Sequence, residues 1–83
     1  MIADHNVLDK IREIIADVTH NSIDNIDETT TCETLNLWDS VAQINIIVAI
    51  ENEFDFSFGV EEMYSLNSVQ KLRSAIERAV RNS

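Results

Sequence analysis

The sequence has almost none of the residues that make tight turns. Among its 83 residues there is no proline and a single glycine, Gly59. β-Sandwiches and β-barrels need turn residues about every 8–12 positions, so this composition nearly excludes them. It also excludes collagen-like chains and flexible linkers. The length leaves room for one domain, and we expect a single domain over residues 1–83.

Residues that commonly build metal sites and active sites are also scarce. The one cysteine, Cys32, excludes a disulfide scaffold and a cysteine-built zinc site. The two histidines, His5 and His20, have no second ligand at metal-binding spacing, so we expect no metal. A glycine-rich phosphate loop and the nucleophile elbow of serine hydrolases are absent as well. We therefore expect that the protein is not an enzyme and has no catalytic residue.

Basic residues are scarce as well. Fifteen acidic residues against six basic ones give a net charge of −9, and residues 34–67 contain no lysine or arginine. Such a chain should be repelled by nucleic acid and anionic membranes and should bind partners with basic patches. No apolar run approaches the roughly 18 residues of a membrane span, and the N-terminus lacks a signal pattern. We expect a cytoplasmic monomer that binds no nucleic acid and does not insert into membranes.

The spacing of apolar residues predicts three long helices and one short one. The first covers about residues 4–18, the second begins near Asp39 and Ser40 and ends near Phe54, and the fourth covers about 68–81, capped by Asn67 or Ser68. A short helical turn is expected around residues 59–64. The sequence thus predicts an all-α fold, a small four-helix bundle with a long loop between the first and second helices.

The predicted loop, residues 19–38, is rich in threonine, asparagine and aspartate. A loop of about twenty residues is unusual in so small a domain, and loops of this length are commonly packed by their own apolar side chains. We expect four residues to anchor it: Ile23, Ile26, Leu35 and Leu37.

The second helix is apolar on more than one side. Its β-branched residues would also suit a strand, but an uninterrupted length of about fifteen residues favours a helix. Helical projection places Ile46, Ile47, Ile50 and Phe54 on one side, which we interpret as the core side. The second stripe, which we interpret as a docking surface, consists of Val41, Ile44 and Val48. The alternative is that all seven residues belong to the core.

Ser40 stands where the polar loop meets this apolar helix. The unpaired N–H groups of a helix start, together with the helix dipole, would stabilise an anion attached to the Ser40 oxygen. No neighbouring base could activate the hydroxyl, so we expect a serine that another enzyme modifies. The alternative is that Asp39 or Ser40 serves only as the helix cap.

Several segments carry motifs of one known family. The run from Leu37 to Val41, Leu-Trp-Asp-Ser-Val, resembles the Asp-Ser-Leu motif that opens the second helix in the acyl carrier protein family. The acidic stretch Glu51-Asn-Glu-Phe follows at the end of the helix, and Ser68-Val69 matches the start of the fourth. The similarity is clear over about residues 35–76.

The resemblance implies a carrier function. Ser40 would receive 4′-phosphopantetheine from coenzyme A by the action of a phosphopantetheinyl transferase, and the thiol of that arm would hold an acyl group as a thioester. An acyl-loading ligase or acyltransferase would charge the arm, and downstream synthases with basic docking patches would use the cargo. The residues implied to contact partners are Asp39, Val41, Ile44, Val48 and Glu51.

The chain departs from the family pattern near the motif. Val41 replaces the usual leucine, the glycine common just before the motif is missing, and Ala42 and Asn45 stand where fatty-acid carriers place acids. These differences favour a specialised biosynthetic pathway over housekeeping fatty-acid synthesis. Two alternatives stay open: an aminoacyl or peptidyl carrier of the same fold, and an unmodified acidic helical module that binds proteins.

Overall fold

A computed structural model describes residues 4–81 of the chain, with side chains over residues 7–80. The helices in this range are α1 (Asp4–Thr19), α2 (Ser40–Phe54), α3 (Glu62–Ser65) and α4 (Val69–Arg81), with a 3-10 helix at Ile23–Asn25. The described residues contain no β-strand. The predicted all-α fold of three long helices, one short helix and a long first loop is confirmed. The side chain of His5 lies outside the described residues.

The core lies between α1, α2 and α4. Helix α1 packs against both α4 and α2, and α3 packs against α2. Full burial of an aliphatic side chain contributes about 1.5–3 kcal/mol, so the interior is the main source of stability. The fully buried aliphatic residues are Ile11, Ile15, Ile26, Ile46, Ile47, Ile50, Val69, Leu72 and Ile76. The predicted core side of α2 is confirmed at its three isoleucines, while Phe54 is half-buried against the same cluster.

Hydrogen bonds hold the long loop at two places along its length. The Arg12 guanidinium on α1 donates to the carbonyls of Ile26 at 2.6 Å and Ile23 at 3.0 Å. Further along, the Cys32 amide donates to the Asn67 carbonyl at 2.9 Å, next to the start of α4. These contacts, together with the 3-10 helix at Ile23–Asn25, fix the path of the chain toward α2.

The predicted apolar anchors of the loop are half right. Ile26 and Leu35 are buried, as expected. The predictions for Ile23 and Leu37 are wrong, because their side chains are 37% and 57% exposed. Ile23 is held through its carbonyl by Arg12, and Leu37 has a left-handed backbone with a φ of 69°. Trp38, only 5% exposed, occupies the interior instead.

Two helix boundaries differ slightly from the prediction. Helix α3 begins at Glu62, because Gly59 and Val60 form a turn in which the Gly59 carbonyl accepts from the Glu62 amide at 3.0 Å. At α4, the Ser68 hydroxyl accepts a hydrogen bond from the Lys71 amide at 3.1 Å. Ser68, one of the two predicted caps, therefore caps this helix.

Candidate functional site at the start of the second helix

Asp39 fixes the start of α2. Its backbone is extended, its carboxylate Oδ1 accepts from the Ala42 amide at 2.8 Å, and its carbonyl accepts from the Gln43 amide at 2.9 Å. This is the N-cap geometry that aspartate favours. Ser40 is consequently the first helical residue, and its side chain is exposed. The structure thus places the Ser40 hydroxyl at the surface, on the positive end of a fifteen-residue helix.

The first turn of α2 can accommodate an anion. Among the described residues, the backbone N–H groups of Ser40 and Val41 have no hydrogen-bond partner, since the caps engage only those of Ala42 and Gln43. Free amides at a helix start bind phosphate readily, because they add to the positive end of the helix dipole. A phosphodiester attached to the exposed Ser40 oxygen therefore fits this end of the helix.

A buried glutamine connects the site to the rest of the fold. The Trp38 indole Nε1 donates to Gln43 Oε1 at 2.7 Å. Gln43 Nε2 in turn donates to the carbonyls of Met63 and Leu66, both at 2.9 Å. Gln43 is only 4% exposed, and every polar atom of its amide has a partner. The network fastens the loop before Ser40, the first turn of α2 and the end of α3 to one another.

Gln43 is the positioning residue that the sequence reasoning missed. It lies on the apolar side of α2, with Ala42 and Ile46 buried beside it, and five residues after the only tryptophan of the chain. A glutamine amide can both accept from an indole and donate to carbonyls, which few side chains do. A polar residue on the buried side of a predicted helix, near a tryptophan, was the signal available.

The second apolar stripe of α2 lies outside the core. The side chains of Val41 and Val48 are 68% and 44% exposed, while that of Ile44 is half-buried. The alternative that placed all seven apolar residues of α2 in the core is therefore wrong. The stripe continues directly from Ser40 along one side of the helix, so it is available for contact with another protein.

Glu51 has a role inside the fold. Its Oε2 accepts a hydrogen bond from the Phe58 amide at 2.8 Å, and its carbonyl accepts from the amide of Phe56 at 3.3 Å. The residue is half-buried and secures the segment that leaves α2. Of the two positions at which the resemblance implies acids, Ala42 is buried and only Asn45 is exposed. Of these two residues, Asn45 is thus the one that presents an uncharged side chain to solvent.

The described part of the chain has neither a metal-binding cluster nor a membrane-spanning helix. No group of three or more histidine, cysteine, aspartate or glutamate side chains there could hold a metal ion. Across the same residues, no helix has both the length and the apolar character needed to cross a bilayer.

Comparison with known proteins bears directly on this site. The model of the family described as "phosphopantetheine attachment site" matches residues 9–76, which is most of the chain. No curated protein sequence matches the chain. Members of the family are non-catalytic carrier domains that hold 4′-phosphopantetheine covalently on a serine and interact with phosphopantetheinyl transferases, synthases and ligases. The chain belongs to the phosphopantetheine attachment site family and is a carrier domain whose cofactor is 4′-phosphopantetheine.

Proposed function

We propose that Ser40 is the serine that carries 4′-phosphopantetheine. The observation that carries the proposal is an exposed hydroxyl at the capped start of α2, next to two free backbone amides. Two other serines illustrate the contrast. Ser68 is 9% exposed and its hydroxyl oxygen caps α4, and Ser65 is the last residue of the short α3, with its hydroxyl donating to the Glu62 carbonyl.

The remaining serines lack a comparable setting. Ser22 caps only the three-residue 3-10 helix, Ser57 lies in the segment between α2 and α3, and Ser74 lies inside α4. Ser83 lies outside the described residues. Of the six serines that the structure describes, Ser40 therefore has the strongest structural support.

Modification requires a second protein. Ser40 Oγ would form a bond to the phosphorus that bears the pantetheine of coenzyme A, while the bond from that phosphorus to the nucleotide half breaks. The hydroxyl proton must leave at the same time, and the closest titratable side chain in sequence, Asp39, uses Oδ1 to cap the helix. A base on the transferase would take the proton. The carrier contributes an exposed nucleophile on a rigid helix end and amides that stabilise the attached phosphate.

We propose further that the cargo is an acyl group that serves a specialised biosynthetic pathway. The attached arm supplies a thiol that holds cargo as a thioester. The chain's own contribution to partner choice is the exposed surface of α2, where Asn45 is uncharged and Val41 and Val48 are apolar. Such a surface selects partners by apolar contact more than by charge along these turns. An aminoacyl or peptidyl cargo is the second candidate, because the same uncharged surface would serve a ligase for amino acids.

The proposed partner-binding residues surround Ser40 and follow α2. They are Asp39, Val41, Ile44, Val48 and Glu51, which would contact the transferase, an acyl-loading ligase or acyltransferase, and downstream synthases. Asp39 is exposed and acidic, so it would face a basic residue of the partner, while the internal bond of Glu51 leaves only part of its carboxylate for such a contact.

Intact mass spectrometry tests the attachment. The purified chain is incubated with coenzyme A and a broad-specificity phosphopantetheinyl transferase, and we expect a mass gain of one phosphopantetheine. Ser40→Ala should show no gain, whereas Ser57→Ala, which removes another exposed hydroxyl, should load like the wild type. Equal loading of Ser40→Ala and wild type would contradict the assignment. A failure of all three to load would favour the unmodified interaction module.

A further inference from the structure

Leu37 combines two unfavourable features. Its φ of 69° places it in the left-handed region, where the Cβ of a leucine crowds the following carbonyl. Its side chain is also 57% exposed, so burial does not offset this strain. The other non-glycine residues with positive φ are His20 and Asp55, types that enter this region several-fold more readily. A glycine at position 37 would follow the same backbone path without strain.

The position of Leu37 suggests what the exposed side chain is for. It precedes Ser40 by three residues, and Val41, which is 68% exposed, follows Ser40 directly. A protein that brings the Ser40 hydroxyl into an active site must cover the residues on both sides of it. Asn36, which is exposed beside Leu37, carries no charge, whereas Glu33 and Asp39 line the same groove as Leu37. The surface around the hydroxyl is therefore apolar at Leu37 and Val41 and acidic at Glu33 and Asp39.

We propose that Leu37 and Val41 form an apolar docking pair that inserts into an aliphatic pocket beside the active site of the phosphopantetheinyl transferase. The proposal rests on attachment at Ser40. The left-handed backbone at Leu37 presents a leucine side chain to solvent, where a glycine would present no side chain. Transfer of one leucine side chain from water into such a pocket strengthens association by about tenfold or more.

Replacement of Leu37 by glycine should change stability and loading in opposite directions. Relief of the left-handed strain outweighs the smaller entropic cost of a glycine, so the melting temperature should rise by about 4 °C. Loss of the docking side chain should lower kcat/KM for loading by about tenfold, chiefly through a higher KM. Asp55→Gly is the matched control, since it relaxes another left-handed residue at the far end of α2, about 22 Å from Ser40. This control should load at the wild-type rate.

Two further variants separate the side chain from the backbone. Leu37→Met keeps an apolar side chain on the strained backbone and should load at nearly the wild-type rate. Leu37→Asn tolerates the left-handed conformation but is polar, and it should load as slowly as Leu37→Gly. The probes are a broad-specificity phosphopantetheinyl transferase and coenzyme A, with loading followed by intact mass.

The outcomes distinguish this proposal from the assignment of Ser40. Wild-type loading by Leu37→Gly, or equal loading of Leu37→Asn and Leu37→Met, would overturn the docking pair while leaving the attachment site intact. Slow loading of the glycine and asparagine variants, with a fast methionine variant and a stabilised glycine variant, supports it. No loading of the wild type itself would overturn both proposals.

Discussion

Replacement of Gln43 by leucine tests whether the buried hydrogen-bond network holds the site together. The substitution keeps a side chain of similar length but removes one acceptor and both donors. The Trp38 indole N–H would lose its acceptor, and the carbonyls of Met63 and Leu66 would lose a donor. The Trp38–Gln43 and Gln43–Leu66 bonds are buried, so water cannot replace the lost partners easily.

The magnitude follows from the cost of leaving buried polar groups unpaired. Each such group costs about 1–3 kcal/mol, and the apolar leucine recovers part of that sum by its own burial. We expect a net loss of about 2–4 kcal/mol in the free energy of unfolding. A domain of this size has about 4–12 kcal/mol in total, so the change is large. It corresponds to a fall of at least about 10 °C in melting temperature.

The fluorescence of Trp38 provides the assay, because it is the only tryptophan and is 5% exposed in the fold. Thermal melts are recorded for the wild type, Gln43→Leu and the control Gln70→Leu, which makes the same chemical change at an exposed position of α4. The control should melt within about 2 °C of the wild type, as surface substitutions usually do. If Gln43→Leu also melts within that range, the network does not stabilise the fold and the reasoning is refuted.

Three further predictions concern the core, the helix cap and one carboxylate. Ile47→Asp should unfold the domain, because it buries an unpaired charge. Val48→Asp should leave the domain folded and impair transfer to partners, because Val48 is exposed. Circular dichroism melts that coincide for the two variants would contradict the two sides assigned to α2. Asp39→Ala should lower the free energy of unfolding by about 1 kcal/mol in urea titrations, and an unchanged midpoint would show that the cap is dispensable. Hydrogen bonds from the Thr29 hydroxyl and amide lower the pKa of Asp27 below its usual value. The stability that this carboxylate contributes is therefore present above the pKa of the unfolded chain, and it is lost as the pH falls through the pKa of the folded protein. An NMR titration should find the Asp27 midpoint below that of an ordinary aspartate, and a midpoint at or above that value would contradict the assigned bonds.

The periodicity of apolar residues was sufficient to predict the helices. The spacing of residues such as Ile46, Ile47 and Ile50 reports burial directly, because each helix turn repeats the same face. The cap at Asp39 was also accessible, since the signal for a helix start is local in sequence.

Two of the misses, the burial of Gln43 and the path of the loop, depend on contacts between distant parts of the chain. Gln43 is buried because Trp38 and the end of α3 converge on it, and the partner carbonyls lie 20 and 23 residues away. The loop path depends on Arg12, whose guanidinium reaches carbonyls 11 and 14 residues further on. Leu37 was assigned inward on hydrophobicity alone, and its backbone conformation directs it outward.

Localisation of the prosthetic arm on the peptide chain is the most direct test of the central claim. The protein is purified from its natural host, digested, and its fragments are sequenced by tandem mass spectrometry. The account predicts a phosphopantetheine-bearing fragment in which the modified residue is Ser40. An arm found on another serine, such as Ser57 or Ser65, with Ser40 unmodified, would contradict it.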